Sequence, residues 1–325
     1  MRRRDFFAVV LGSVVGTVPL AAVAQQSGQT HRVGILAQDL QPGLLETFRD
    51  ELHKLGYVEG KTVSIEVRNA SGRNARLPGL VDDLLRLKVD VIVAVNTPAA
   101  KAAKKATKTV PIVIMRVADP VKSGLVASLA HPGGNVTGLS FIPDQMGAKG
   151  IELIHEVLPS ISRVGGLYSG DNAGNQVVMR GVESRCKQLG LQLLRLPVIG
   201  PKDYAGAFDK ASRARIEALF VMDDGAITKQ RHKILDLATK HSLPVVAVYR
   251  DFATAGALIA YGPSLNVVYR RAAQYVDKLL KGAIAENLPV EQPTKFDLFV
   301  NLKTAKTLGL TIPLSVQMRA DKIIE

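Results

Sequence analysis

From Arg32 onward the chain alternates between two hydrophobic rhythms. Short runs rich in branched residues ("RVGILA", "TVSIEV", "VDVIVAV", "VPIVIM", "NVTGLSF", "RVGGLY", "LQLLRL", "EALFVM", "LPVVAVY", "GALIAY" and "FDLFVNL") are nearly continuous apolar stretches of strand length. Between most of them lie stretches of helical period. In "GLLETFRDELHKLGY", Leu44, Leu45, Phe48, Leu52 and Leu55 fall on one face and Gly56 supplies a stop. Ile234, Leu235 and Ala238 repeat the pattern in "KQRHKILDLATKHSLP". Apolar strands alternating with helices predict parallel sheets covered on both faces. Eleven such runs exceed one tidy doubly wound sheet, and the spacing breaks after Phe141, which argues against a single eight-stranded barrel. The expected fold is therefore α/β, with two Rossmann-like doubly wound lobes.

The chain is expected to pass between the lobes near Phe141, near Ala257 and near Pro293. Residues 31–142 and 258–292 then form one lobe, and residues 143–257 and 293–325 the other. Several crossings make a hinge, and a cleft between two domains is a favoured place for a ligand.

The first 24 residues stand apart. Three arginines precede an apolar run, Phe6–Ala22, which closes on Ala22-Val23-Ala24 before polar "QQSGQT". That layout predicts an export signal cleaved after Ala24, with the twin-arginine route and an uncleaved anchor as alternatives. The 47% hydrophobic and 22% charged content suits a soluble globular protein. The formal charge of +13 fits solubility or an anionic membrane surface outside the cytoplasm better than nucleic acid. The lysines Lys101, Lys104, Lys105 and Lys108 share a helix face without the aromatics or arginine forks of a nucleic-acid stripe. One cysteine, Cys186, excludes an internal disulfide and lies in a helical pattern.

The stretch "VIVAVNTPAAKAA" carries the first candidate site. In open α/β sheets, ligands bind outside the carboxyl ends of the strands, and Asn96 and Thr97 sit at such an end. Pro98 suits the first helical position and Thr97 is expected as the N-cap. The free N–H groups behind it could hold a carboxylate on the positive helix end, with Ala99 allowing close approach; the same residues would also serve a capped structural helix. Other strand ends bring Gln38, Asp119, Asp171, Asn172, Asp223, Asp224 and Tyr249. Carboxylates at one end of a cleft and a helix start at the other could clamp a zwitterion, although each singly is a common turn or cap residue. The chain lacks G-x-G-x-x-G after a strand, G-x-x-x-x-G-K-[ST], G-x-S-x-G and H-E-x-x-H, and its six histidines show no ligand spacing. No metal or cofactor is expected.

Together "LGYVEGKTVSIEVRNASG", "DPVKSGLVASLAHPGGNVTGLS", "GAKGIELIHEVLP" and "QPTKFDLFVNLKTAKTLGLTIP" closely resemble solute-binding proteins of ABC importers, in the group similar to tryptophan/tyrosine-type uptake binding proteins. The resemblance covers essentially the whole chain after the signal. It implies a type I periplasmic-binding-protein fold and a small carboxylate-bearing solute, an amino acid or similar, held between the lobes. It also implies a monomer in the periplasm that docks to an inner-membrane permease with its ATPase. Thr97, Pro98 and Ala99 match the family's T-P-A helix start, and Asp119 its D-P-V element. "VMDDGAIT" departs from the amino-acid binders' T-D-N-T-like loop, leaving Asp223 as the amine-binding candidate. An exported enzyme using the cleft carboxylates, or a ligand-sensing module for a membrane receptor, are the rival readings.

Overall fold

A computed structural model of the protein describes residues 30–141, 143–222 and 224–325; the expected signal over 1–24 lies outside them. The first lobe holds β1 (His31–Ala37), α1 (Pro42–Lys54), β2 (Val63–Asn69), α2 (Leu77–Arg86), β3 (Val91–Val95), α3 (Thr97–Ala106), β4 (Ile112–Ala118) and β5 (Val136–Phe141). Its five strands run parallel in the order β2-β1-β3-β4-β5. All residues of β3, β4 and β5 are buried. Such strands read as unbroken apolar runs because helices cover both faces.

The second lobe opens with α4 (Pro143–Val157), β6 (Arg163–Ser169), α5 (Ala173–Gln188), β7 (Gln192–Val198) and α6 (Asp203–Arg213). It continues through β8 (Ala218–Met222), α7 (Gly225–Lys229), α8 (Arg231–Lys240), β9 (Val245–Ala247), α9 (Arg250–Ala255) and β10 (Ile259–Pro263). The chain then returns to the first lobe as α10 (Leu265–Leu280), which packs on α1 and across β3, β4 and β5. It comes back as β11 (Phe296–Asn301), α11 (Leu302–Thr307), α12 (Leu314–Met318) and β12 (Lys322–Ile324). The second sheet has seven strands in the order β12-β11-β10-β9-β8-β6-β7, with β10 and β11 antiparallel and the other pairs parallel.

The middle crossing differs from the sequence expectation. The sequence places 258–292 as a block in the first lobe, but β10 lies in the second sheet and only the following helix changes lobes. The cause is pairing: Ile259 and Ala260 sit beside Val246 and Ala247 on one side and Val300 and Phe299 on the other. The apolar face of α10, with Val268, Tyr269, Ala272, Tyr275 and Val276 buried, belongs to the first sheet. The crossing therefore falls at Pro263–Ser264.

The crossings are tied to one another and to the first lobe. Ser264 N–H donates to the Lys295 carbonyl (3.1 Å), while Glu291 exchanges backbone bonds with Gly138 and Ser140 of β5. Arg271 of α10 grips Glu291 with two charge-assisted bonds, Nε to Oε2 at 2.7 Å and a terminal nitrogen to Oε1 at 2.6 Å. That fork holds the Glu291 carboxyl below its ordinary range. A carboxyl depressed on folding contributes stability above its unfolded pKa and loses it as pH falls through the folded value. Urea unfolding between about pH 6 and about pH 3 should show wild type losing more stability than Arg271→Gln. Parallel profiles would mean that the fork does not act on this carboxyl.

Candidate ligand-binding site

The carboxyl ends of the two sheets face each other, so the loops after β1, β3 and β4 meet those after β6, β8 and β9. Most of the polar residues there are buried: Gln38, Asn96, Thr97, Ser169, Asn172, Asn175 and Asp224 have at most 3% of their surface exposed. Buried polar groups need partners, and their partners define the site.

On the first lobe, Asn96 adopts φ 77° and is the N-cap of α3; Thr97 is the first helical residue. This corrects the expected capping by Thr97. Its hydroxyl instead accepts from Ala118 N–H at 3.4 Å. Asn96 does not cap through its side chain either, because its amide donates to Gln38 Oε1 at 3.1 Å. The first turn of α3 therefore has no side-chain cap, with Pro98 lacking an N–H and Ala99 and Ala100 fully buried. A left-handed φ at a non-glycine residue is a strained conformation that concentrates at functional sites. Beside it, Gln38 is wholly buried and its Nε2 has no partner among the described residues.

On the second lobe, Asn172 caps α5 by accepting from Gly174 N–H at 3.0 Å and donates to Asp224 Oδ2 at 2.9 Å. Asn175 donates to the same oxygen at 3.2 Å. Asp224 caps α7, its Oδ1 accepting from Ala226 and Ile227 N–H at 2.9 and 3.2 Å. Four donors thus occupy its carboxylate, and burial pushes its pKa up. Asp171 accepts from the Ser169 hydroxyl at 2.7 Å and, across the cleft, from the Asn74 amide at 2.8 Å. Asp119 turns to its own loop, accepting from Lys122 N–H at 2.9 Å and pairing with the Lys122 ammonium at 3.1 Å. All three carboxylates have hydrogen-bond partners within the protein, and Asp224, with four donors on its two oxygens, has the fewest acceptor sites left for a ligand. Asp223 lies outside the described residues.

Tyr249 precedes α9, and its ring stacks against Arg116, a residue that no sequence motif marks. Arg116, in β4, sets its guanidinium 4.4 Å from the Tyr249 ring centroid and its Nε 3.4 Å from the Tyr249 hydroxyl. Arg116 is 5% exposed, has φ 56°, and lies where the β4–β5 register shifts between Ile114 and Val117. A bulge inside a buried strand re-aims a side chain. The clue in the sequence was a lone cation inside the apolar run "IVIMRVA". Asn74, also overlooked, stands in a polar loop whose sequence marks only a turn.

At the edge farthest from the crossings, the lobes enclose a cleft of about 510 Å³ between Gly72, Arg73 and Asn74 on one side and Asp171, Tyr204 and Lys229 on the other. Among the described residues no group of three or more His, Cys, Asp or Glu could hold a metal. Cys186 is buried, with its thiol pushed up to about 12.

Two α/β lobes with parallel sheets, joined by chain crossings and facing each other across a cleft, make this a type I periplasmic binding protein fold. The chain belongs to the ABC transporter substrate binding protein family, whose model matches residues 35–324. The tyrosine-binding protein of Clostridioides difficile is 24% identical over 95% of this chain and 94% of its own length. A conserved domain protein from Vibrio cholerae superposes with a TM-score of 0.84 at 28% identity, covering 91% of this chain and all of that one. The ABC domain from Streptococcus pneumonia in complex with L-Trp gives 0.85 at 25% identity, with the same coverage. A ligand-free, open substrate binding protein from Clostridium difficile, also 25% identical, gives 0.65 over 90% of this chain and 99% of that one. At equal identity, the chain superposes more closely on the L-Trp complex than on the ligand-free, open structure.

Asp224→Ala would uncap α7 and strand the Asn172 and Asn175 amides. Each buried donor left unpaired costs about 1–3 kcal/mol, so a loss of about 3 kcal/mol is expected in urea unfolding. A change within about 0.5 kcal/mol would show that the network carries no weight.

Proposed function

We propose that this protein is the exported receptor of an ABC importer, which captures a small carboxylate-bearing solute between its lobes by hinge closure and releases it unchanged. The observation that carries this reading is the uncapped first turn of α3 beside the unpartnered, buried Gln38 amide. Both are donors, and both lie at the cleft-facing end of the first sheet. A carboxylate accepts from such donors and is drawn to the positive end of a helix.

In this account Gln38, Asn96, Thr97, Pro98 and Ala99 receive the acid from the first lobe. Tyr249, Asn172 and Asp171 close on the solute from the second, where Asp224 positions Asn172 rather than touching the ligand; Asp119 shapes the loop after β4. An amino acid or a similar acid, aromatic ones included, suits the reading, as the L-Trp complex and the tyrosine-binding relative suggest. The moving bodies are residues 30–141 with 265–291, and 143–263 with 296–325. A signal over residues 1–24 would deliver the protein to the periplasm. There, as a monomer, it would hand its cargo to a permease and ATPase in the inner membrane.

Native mass spectrometry of the purified protein, followed by a thermal-shift panel of amino acids and related carboxylates, tests the assignment. A ligand at about 100 times its Kd should stabilise the fold by about 2.7 kcal/mol and be recovered chemically intact. Gln38→Glu keeps the acceptor for Asn96 but replaces the orphan donor with an oxygen. It should weaken carboxylate binding by about tenfold or more while leaving the unliganded fold in place. Equal binding by wild type and variant would remove Gln38 from the site, and a turned-over ligand would replace the receptor with an enzyme.

A further inference from the structure

The lobes meet through glycines. Gly174, the second residue of α5, faces Thr97 of the first lobe. A β-carbon placed on it would lie 2.6 Å from Thr97 Oγ1 and 3.2 Å from the Ala118 β-carbon; Asn172 Oδ1, in its own lobe, is also at 3.2 Å. Gly225, which opens α7, faces Asp39: the same construction meets the Asp39 β-carbon at 2.6 Å and its backbone nitrogen at 2.8 Å. Comfortable carbon contacts begin at about 3.5 Å. Neither glycine has a positive φ, so neither is required by its own backbone. Both stand in helices, where alanine is the better residue. What needs the missing methyl is the opposite lobe.

We propose that Gly174 and Gly225 set the closed separation of the lobes, and with it the size of solute the cleft accepts. The inference rests on the capture reading for its consequence, but its geometry is independent of any ligand. At both points helix starts of the second lobe come within contact of loops after β1, β3 and β4. A methyl at either point holds the lobes about 1 Å further apart. Further from the crossings this opening grows by leverage, and the Asn74–Asp171 hydrogen bond at the mouth is the contact it breaks first.

The pair Asn74→Cys/Asp171→Cys, treated with a short bis-thiosulfonate cross-linker without added ligand, reports the closed state. Cys186 stays silent, being 1% exposed with a thiol pushed up to about 12. Gly174→Ala and Gly225→Ala should each slow cross-linking at least about tenfold while leaving the urea midpoint unchanged or higher. Thr97→Ala should restore the rate in the Gly174→Ala protein, since it removes the opposing oxygen. Gly206→Ala, in α6 with nothing within 4 Å of the added methyl, should leave the rate unchanged. Cross-linking that is absent in the parent pair, unaffected by Gly174→Ala and Gly225→Ala, or equally slowed by Gly206→Ala would overturn the proposal. If no carboxylate in the thermal-shift panel binds, the capture reading falls while the cross-linking outcome still decides this one.

Discussion

Two sheets that present their carboxyl ends to each other bury a layer of polar loops, and those loops must find hydrogen-bond partners where water is scarce. This constraint organises the molecule. The N–H groups that begin each helix, and the side chains at each strand end, face the opposite lobe instead of solvent. On the second lobe the constraint is met internally, with Asp224 accepting from two backbone amides and two asparagines. On the first lobe it is left partly unmet, at the start of α3 and at Gln38. A receptor gains from that asymmetry: one wall is rigid before binding, and the other keeps donors in reserve.

The alternation of strands and helices was plain in the sequence because buried parallel strands cannot hide their composition. Two α/β lobes follow from the number of strands, and the expected chain crossings from breaks in the alternation near Phe141, Ala257 and Pro293. What escaped was set by partners distant in sequence. The run "GALIAY" looks the same whether its strand closes the first sheet or the second; only pairing with Val246 and Val300 decides. Local pattern also misplaced the start of α3 by one residue, because the left-handed Asn96 takes over the cap from Thr97.

The candidate residues divide along the same line. Strand-end position singles out Gln38, Asn96, Thr97, Asn172 and Tyr249, all of which are buried where the strand ends of the two lobes meet. It does not tell a carboxylate that meets a ligand from one that caps a helix: Asp224 caps α7 and holds two asparagines, whereas Asp119 and Asp171 each carry fewer bonds. Arg116 was visible as a charge in an apolar strand, yet its meaning needed the bulge and the Tyr249 ring. Gly174 and Gly225 carried no signal, since a glycine required by a contact across lobes is indistinguishable in sequence from one in a loose helix start.

A crystal structure of the protein with its bound acid tests the central claim most directly. The account predicts a carboxylate within hydrogen-bond distance of Gln38 Nε2 and the first turn of α3, with Thr97 and Gly174 still in contact across the cleft. An acid found on the outer face of one lobe, or held between lobes that remain apart, would contradict it.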